Sequence, residues 1–369
     1  MVIKVVHIFG KLDRNGAETM LMNLYRNIDR EKINFDFVVH SDVIGDYEAE
    51  ILKMGGKIFR CPRYKGKNHF AYISWWKNFF KSNHYDILHS HIRSTASLYL
   101  PIYRKYNGGV CIAHSHSTSS GKGMAALIKN VLQYPLRYQA DYLFACSDEA
   151  GKWLFGKHAC KKRNYFVVKN AIDCDRYVLN AAKRKEYRLR YDIEDRFVIG
   201  HVGRFTRAKN HAFIIDLFQK IHSAEPKATL LLVGRGEEEE AIHAKIRRYG
   251  LEQRVIFAGN VEDVAGILQA MDVYVMPSLW EGLGISLIEA QAAGLPCVCS
   301  EHIPPEAILT EHCHQIRLAD ENAWEETVLR QKSFKAEAAI EQIRKAGYDI
   351  KDTAIWIQNF YCKVIKTNG

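Results

Sequence analysis

Short runs rich in valine, isoleucine and phenylalanine alternate along the chain with longer stretches whose apolar residues recur every three or four positions. The first kind of run suits a strand buried on both faces, and the second suits an amphipathic helix. Their alternation predicts βαβ units on a parallel sheet. Strands are expected at 2–9, 35–40, 57–60, 86–90, 110–114, 142–146 and 166–168, and helices at 17–28 and 70–82. Met20, Leu21, Leu24, Tyr25 and Ile28 carry the helical spacing of the first helix. This half reads as one doubly wound domain.

Apolar periodicity lapses after Lys169-Asn170-Ala171-Ile172-Asp173 and gives way to a charged stretch, 180–196, which marks the boundary. A second alternation follows, with strands at 197–202, 228–233, 254–258, 273–276 and 296–299 and helices near 210–223, 237–249, 261–270 and 284–293. The fold class is therefore α/β. Two Rossmann-like domains, 1–174 and 175–351, are expected to face a cleft where ligands of such sheets sit. Ile350, Ala354, Ile357, Phe360 and Tyr361 share one helical face, so a last helix over about 352–369 should pack back on the first domain.

The length of 369 residues agrees, since one hydrophobic core stops growing at roughly 250–300. With 47% hydrophobic and 25% charged residues, disordered and fibrous classes are excluded. Nine cysteines without a C-x-x-C pair, several in apolar runs, imply a reducing, cytoplasmic compartment. The opening MVIKVVHIFG carries Lys4 within its apolar run and reads as a first strand rather than a signal peptide. No apolar stretch approaches the roughly 20 residues of a membrane span.

The formal charge of +10 favours anionic partners, and it is unevenly spread. Between Lys57 and Lys105 stand ten Lys or Arg and one acid, Asp86. Together with Phe70, Tyr72, Trp75, Trp76, Phe79 and Phe80, these cations suggest a peripheral contact with an anionic membrane. The alternative is an ordinary amphipathic helix whose aromatics pack on the sheet. No nucleic-acid module is present, so nucleic acid is not an expected partner.

The densest chemistry is Pro277-Ser278-Leu279-Trp280-Glu281-Gly282-Leu283-Gly284-Ile285-Ser286-Leu287-Ile288-Glu289, directly after an apolar strand. Gly282 and Gly284 allow close backbone approach to a ligand. A helix starting near Gly284 would aim free N–H groups at a phosphate or a sugar. Glu281 and Glu289 can each accept paired hydrogen bonds from vicinal hydroxyls. A second motif, Gly203-Arg204-Phe205-Thr206-Arg207-Ala208-Lys209, sets two cations five residues apart, able to meet on a diphosphate.

These motifs resemble the retaining glycosyltransferases of family 4, which have the GT-B fold. The resemblance implies that Glu281 contacts the transferred sugar, Glu289 holds the ribose, and Arg204 and Lys209 bind the diphosphate. It places Gly203, Gly259, Asn260, Val261, Gly282, Leu283, Gly284 and Ile285 around the donor. Asn15-Gly16-Ala17-Glu18 resembles the family's G-G-x-E turn, with Asn15 in place of a glycine, and Gly16 would present its N–H to the donor. Arg235 stands where relatives often carry Asp and receives no role.

Histidines occur as H-x-H at 89/91 and 114/116. His116 matches the family's histidine beside the transferred sugar. Although each pair lies on one strand face, no carboxylate or Cys completes a metal set, and neither metal nor cofactor is expected. The motifs are most similar to bacterial enzymes building capsular or exopolysaccharide repeats. The implied reaction moves a sugar, with UDP-sugars favoured, from a nucleotide-sugar donor to a saccharide or lipid-linked saccharide. A nucleotide-sugar 2-epimerase and a non-catalytic nucleotide-sugar-binding protein are the alternatives.

Overall fold

The computed structural model describes residues 2–117, 121, 123–334 and 336–368, and the chain divides into two compact units, 1–172 with 349–369 and 173–348. The two divisions fall two and three residues before the boundaries read from the sequence.

The first unit holds strands β1 (Ile3–Phe9), β2 (Ile33–Val39), β3 (Ile58–Arg60), β4 (Ile87–Ser90), β5 (Val110–Ser115), β6 (Tyr142–Ala145) and β7 (Tyr165–Val167). They pair in parallel in the order β3-β2-β1-β4-β5-β6-β7. Helices α1 (Gly16–Asn27), α2 (Glu48–Lys53), α3 (His69–Ser82), α4 (Ala96–Tyr106), α5 (Met124–Gln133), α6 (Leu136–Gln139) and α7 (Asp148–Phe155) connect them. The order reverses between β1 and β4, the switch point beside which such sheets bind ligands.

The second unit holds β8 (Phe197–Val202), β9 (Ala228–Val233), β10 (Val255–Gly259), β11 (Val273–Met276), β12 (Cys297–Ser300) and β13 (Cys313–Ile316). Their order is β10-β9-β8-β11-β12-β13, again parallel, with the switch between β8 and β11. Its helices are α8 (Ala181–Arg190), α9 (His211–Ala224), α10 (Glu239–Tyr249), α11 (Val264–Gln269), α12 (Ile285–Ala292), α13 (Glu321–Arg330) and α14 (Ile340–Lys345). Both long motifs therefore leave strands at this unit's switch point, Gly203 from β8 and Pro277 from β11.

The last helix, α15 (Ile350–Asn368), belongs to the first unit. Ile350, Ala354, Ile357, Phe360 and Tyr361 join Val5, Ile87, Ile112 and Phe144 in one core layer, which is why that stripe is apolar. Gly369, the end of the expected helix, lies outside the described residues.

Two expectations need revision. The charged stretch 180–196 is mostly α8, an integral helix of the second unit. Arg184 and Arg188 both bind Asp272, and Arg188 also donates to the Ala270 carbonyl at 2.9 Å. Part of its charge is therefore spent inside the fold, while Lys185, Glu186 and Arg190 remain exposed. The aromatics of α3 are likewise structural: Tyr72, Trp76, Phe79 and Phe80 are buried in the sheet's other core layer, leaving Phe70 88% exposed. The exposed apolar face of this unit lies instead on α5, where Met124, Leu127, Ile128 and Val131 face solvent.

Candidate active site

Backbone bonds from Gly203 N–H to the Val233 carbonyl and from Phe205 N–H to the Arg235 carbonyl, both 2.9 Å, guide the chain out of β8. A single 3-10 turn, Arg207–Lys209, ends at Asn210, which sits in the left-handed region (φ +56°) and turns the chain into α9. Asparagine tolerates this conformation better than most residues. The turn is stitched to the segment after β11, because Leu279 N–H donates to the Ala208 carbonyl at 2.8 Å and Asn210 Nδ2 to the Pro277 carbonyl at 3.2 Å.

The stitching brings the two motifs side chain to side chain. Lys209 Nζ donates to Glu281 Oε1 at 2.6 Å, and Ser278 Oγ donates to the same oxygen at 2.8 Å. The pair is largely shielded, with 18% of the Lys209 side chain and 12% of the Glu281 side chain exposed. A Cβ on Gly203 would stand 3.2 Å from Lys209 Cε, so the missing side chain is the space the lysine stem occupies.

Gly284 adopts φ +86°, a conformation costly for residues with a Cβ, and precedes α12. Leu283 is buried, while Gly282 and Ile285 are partly exposed at the helix start. Farther along, the buried Glu289 accepts a hydrogen bond from Tyr177 Oη at 2.7 Å. Burial pushes the Glu289 carboxyl up to about 7, against the pull of the Tyr177 hydrogen bond and the charges of Arg176 and Lys209. Lys209 thus acts on both carboxylates.

Arg204 behaves differently. It is exposed and faces Glu237 at 3.3 Å, a surface pair, rather than sharing the partners of Lys209. The two cations of this motif therefore pair with different carboxylates. Gly259 (φ +65°) ends β10 and accepts from Gly234 N–H at 2.9 Å, with the exposed Asn260 and half-buried Val261 following. The Arg235 guanidinium lies against Gly259, 3.4 Å from where a Cβ would be.

In the first unit Gly16 is the opening residue of α1, and burial pushes the Glu18 carboxyl in that first turn up to about 7. His116 follows β5 and ends an array of five imidazoles. His7 Nδ1 lies 3.1 Å from His91 Nε2, and His91 Nδ1 lies 2.8 Å from His116 Nε2. Alongside, Tyr361 Oη lies 2.7 Å from His89 Nδ1, and His89 Nε2 lies 3.1 Å from His114 Nδ1. Burial holds all five neutral: His7 falls to about 3, His116 to about 4, and the others well below their ordinary value.

Two triplets, His7/His89/His91 and His91/His114/His116, bring their nitrogens within 4.8 Å of one another. Within them His7–His91, His89–His114 and His91–His116 already hydrogen-bond, and each such bond occupies a lone pair that a metal would need. The array is better described as hydrogen-bonded than as a ready ligand set.

Sequence reading did not single out Tyr177, Ser278, His7 or Asn170. Ser278 had a legible signal, its i, i+3 spacing to Glu281, and His7 shares strand parity with Val5 and Phe9. Tyr177 had none, since it reaches Glu289 across 112 residues.

Comparison with known proteins relates both halves of the chain to glycosyltransferases. The model "Glycosyl transferases group 1" matches residues 183–348, and "Glycosyltransferase Family 4" matches 14–176. EpsF of Bacillus subtilis (strain 168), named as a glycosyltransferase, is 32% identical over 97% of this chain and 96% of its own. An Escherichia coli UDP-Gal:alpha-D-GlcNAc-diphosphoundecaprenol alpha-1,3-galactosyltransferase is 28% identical over 81% of this chain and 79% of its own. Among solved structures, Anabaena HepE in complex with UDP and glucose superposes with a TM-score of 0.79 at 18% identity, covering 98% of this chain and all of that one.

Proposed function

This chain belongs to the family 4 glycosyltransferases and has the GT-B architecture, and from that premise we propose a retaining, metal-independent transfer from a UDP-sugar to a saccharide or lipid-linked saccharide. The shielded Lys209–Glu281 pair carries the reading. A diphosphate arriving beside Lys209 would meet a positive charge already held in place. Glu281 would be left to accept hydrogen bonds from sugar hydroxyls, and Glu289 from ribose. Gly16, Gly259, Asn260, Val261 and the Gly282–Ile285 turn would offer backbone groups to the donor, and His116 would orient the transferred sugar or the acceptor hydroxyl. Exposed Arg204 would reach the diphosphate only by leaving Glu237.

In the reaction the acceptor oxygen bonds to the anomeric carbon on the face the diphosphate leaves. The carbon–oxygen bond to phosphate breaks, and the acceptor proton passes to the departing phosphate oxygen. Lys209 stabilises the charge growing there. UDP is favoured because HepE is described with UDP and the E. coli relative is named for UDP-Gal. The relative named for a diphosphoundecaprenol acceptor supports the lipid-linked class. The test is release of UDP and NMR assignment of the product anomer with a panel of UDP-sugars and lipid-linked saccharides. A product of inverted anomeric configuration would overturn the retaining assignment, and UDP-sugars that neither react nor raise the melting temperature would overturn the donor.

A membrane contact also fits, although through α5 rather than α3. The exposed Met124, Leu127, Ile128 and Val131 form one apolar stripe, joined by exposed Tyr134 and Tyr138, with Lys129 and Arg137 close by. From residue 87 to 140 the chain has no acidic residue, so the charge complements an anionic lipid surface.

A further inference from the structure

Each neutral imidazole has one N–H and one lone pair, so a chain of them must run in one direction. In the line His7 Nδ1, His91 Nε2, His91 Nδ1, His116 Nε2, the two links are 3.1 and 2.8 Å long. If His7 donates to His91, then His91 donates to His116, and His116 keeps its own proton on Nδ1. If the direction reverses, His116 Nδ1 becomes a bare lone pair and the spare proton sits on His7 Nε2. The choice decides whether His116 offers a substrate a donor or an acceptor.

The ends of the line select the direction. At one end, His7 Nε2 is buried with no hydrogen-bond partner among the described residues. A buried N–H without a partner costs most among apolar rings, and His7 is fully buried against Phe35 and Phe37 whereas His116 is only half-buried past the end of β5, which favours the bare lone pair on His7. At the other end, His116 Nδ1 and the buried Asn170 Oδ1 both lack a partner among the described residues, and Asn170 raises the His116 imidazole against the pull of burial. With His116 Nε2 taken by His91, an acceptor acting on this ring calls for an N–H at Nδ1. Ring stacking holds the register, with centroids 5.3 Å apart for His7 and His91 and 5.1 Å for His91 and His116.

We propose that His91 and His7 are positioning residues whose one-way hydrogen-bond line holds His116 as an Nδ1–H donor, set to meet an oxygen of the sugar or acceptor. The role of His116 toward substrate rests on the reading above; the line itself does not. It runs from β1 to the residues that directly follow the neighbouring strands β4 and β5, so the tautomer is anchored at the end of the sheet.

The experiment is long-range ¹H–¹⁵N correlation of the imidazoles in the full chain, with the His116 signals assigned by their loss in His116→Asn. The wild type should show His116 protonated at Nδ1 alone. His91→Phe keeps a stacking ring but cuts both links, and should bring an Nε2–H population into view. In the same variant kcat should fall roughly 10- to 100-fold, as when a partner orienting an imidazole is lost, with donor KM within about twofold. His91→Gln has both an acceptor oxygen and donor N–H groups, and should restore the wild-type signal in part. If His91→Phe misfolds, His7→Phe at the far end should move the same signal through one more link. An unchanged His116 pattern in these variants, or an Nε2–H tautomer in the wild type, overturns the proposal. Full turnover in His116→Asn would instead overturn the substrate role of His116 and leave the line decided by the spectra.

Discussion

Lys209 and Glu281 stand 72 residues apart in sequence, and their largely shielded side chains meet at 2.6 Å in the second unit. Removing one partner strands the other. Lys209→Met should cost about 1–3 kcal/mol by leaving the Glu281 carboxylate without its cation. The double variant Lys209→Met/Glu281→Gln should be less destabilised than the sum of the singles. Denaturant unfolding of the four proteins measures this, and strict additivity would deny the pair. Transfer is a separate readout, with Lys209→Ala expected to lose about 100- to 1,000-fold in rate.

Glu289 titrates in an unusual window. Its carboxyl is raised from 4.5 to about 7, chiefly by burial, so the folded state holds a proton that the unfolded chain has released. Its stabilising share is present at low pH and is lost as pH rises from about 4.5 to 7, at up to about 1.4 kcal/mol per pH unit. Glu289→Gln cannot ionise. Its stability relative to wild type should therefore climb through that window and level off above it, while donor KM rises. A pH-independent difference would show that Glu289 titrates normally.

The histidines have the opposite sign. His7, His40, His89, His91, His114 and His116 in the first unit are held below their ordinary value by burial. The unfolded chain takes up their protons first, so stability falls as pH drops below about 6.5, by up to about 1.4 kcal/mol per pH unit for each. Fewer such groups lie in the second unit, His201 and His211 foremost. Between pH 7 and 5, amide exchange should accelerate more in β1, β4 and β5 than in β8 and β11. Equal acceleration would contradict the assignment.

The α5 face predicts salt-sensitive sedimentation with vesicles containing anionic lipid and little with neutral ones. Leu127→Ser/Ile128→Ser should weaken that binding without lowering the melting temperature, since both side chains are exposed. Phe79→Ser in α3 should instead unfold the first unit, because Phe79 is buried. Binding that survives the α5 changes would locate the contact elsewhere.

The sequence alone determined the alternation of strand and helix, the tandem Rossmann-like architecture and the two motifs, because each is written in local periodicity or in short spacing. It also marked the stripe of α15 as apolar, since a helix of that pattern must cover something. Tertiary structure decided what long-range packing controls. Helix α8 looked like a charged boundary because nothing local announces that Arg184 and Arg188 pair with Asp272 more than 80 residues away. Helices α3 and α5 each carry an apolar stripe at helical spacing, and only the fold buried one and exposed the other. Arg204 and Lys209 are neighbours in one motif, yet the turn at Asn210 and the bond from Leu279 to Ala208 give Lys209 to Glu281 and leave Arg204 with Glu237. The histidine line has the same origin: strand parity puts its members on one face, and the parallel register of β1, β4 and β5 brings their nitrogens within hydrogen-bonding distance.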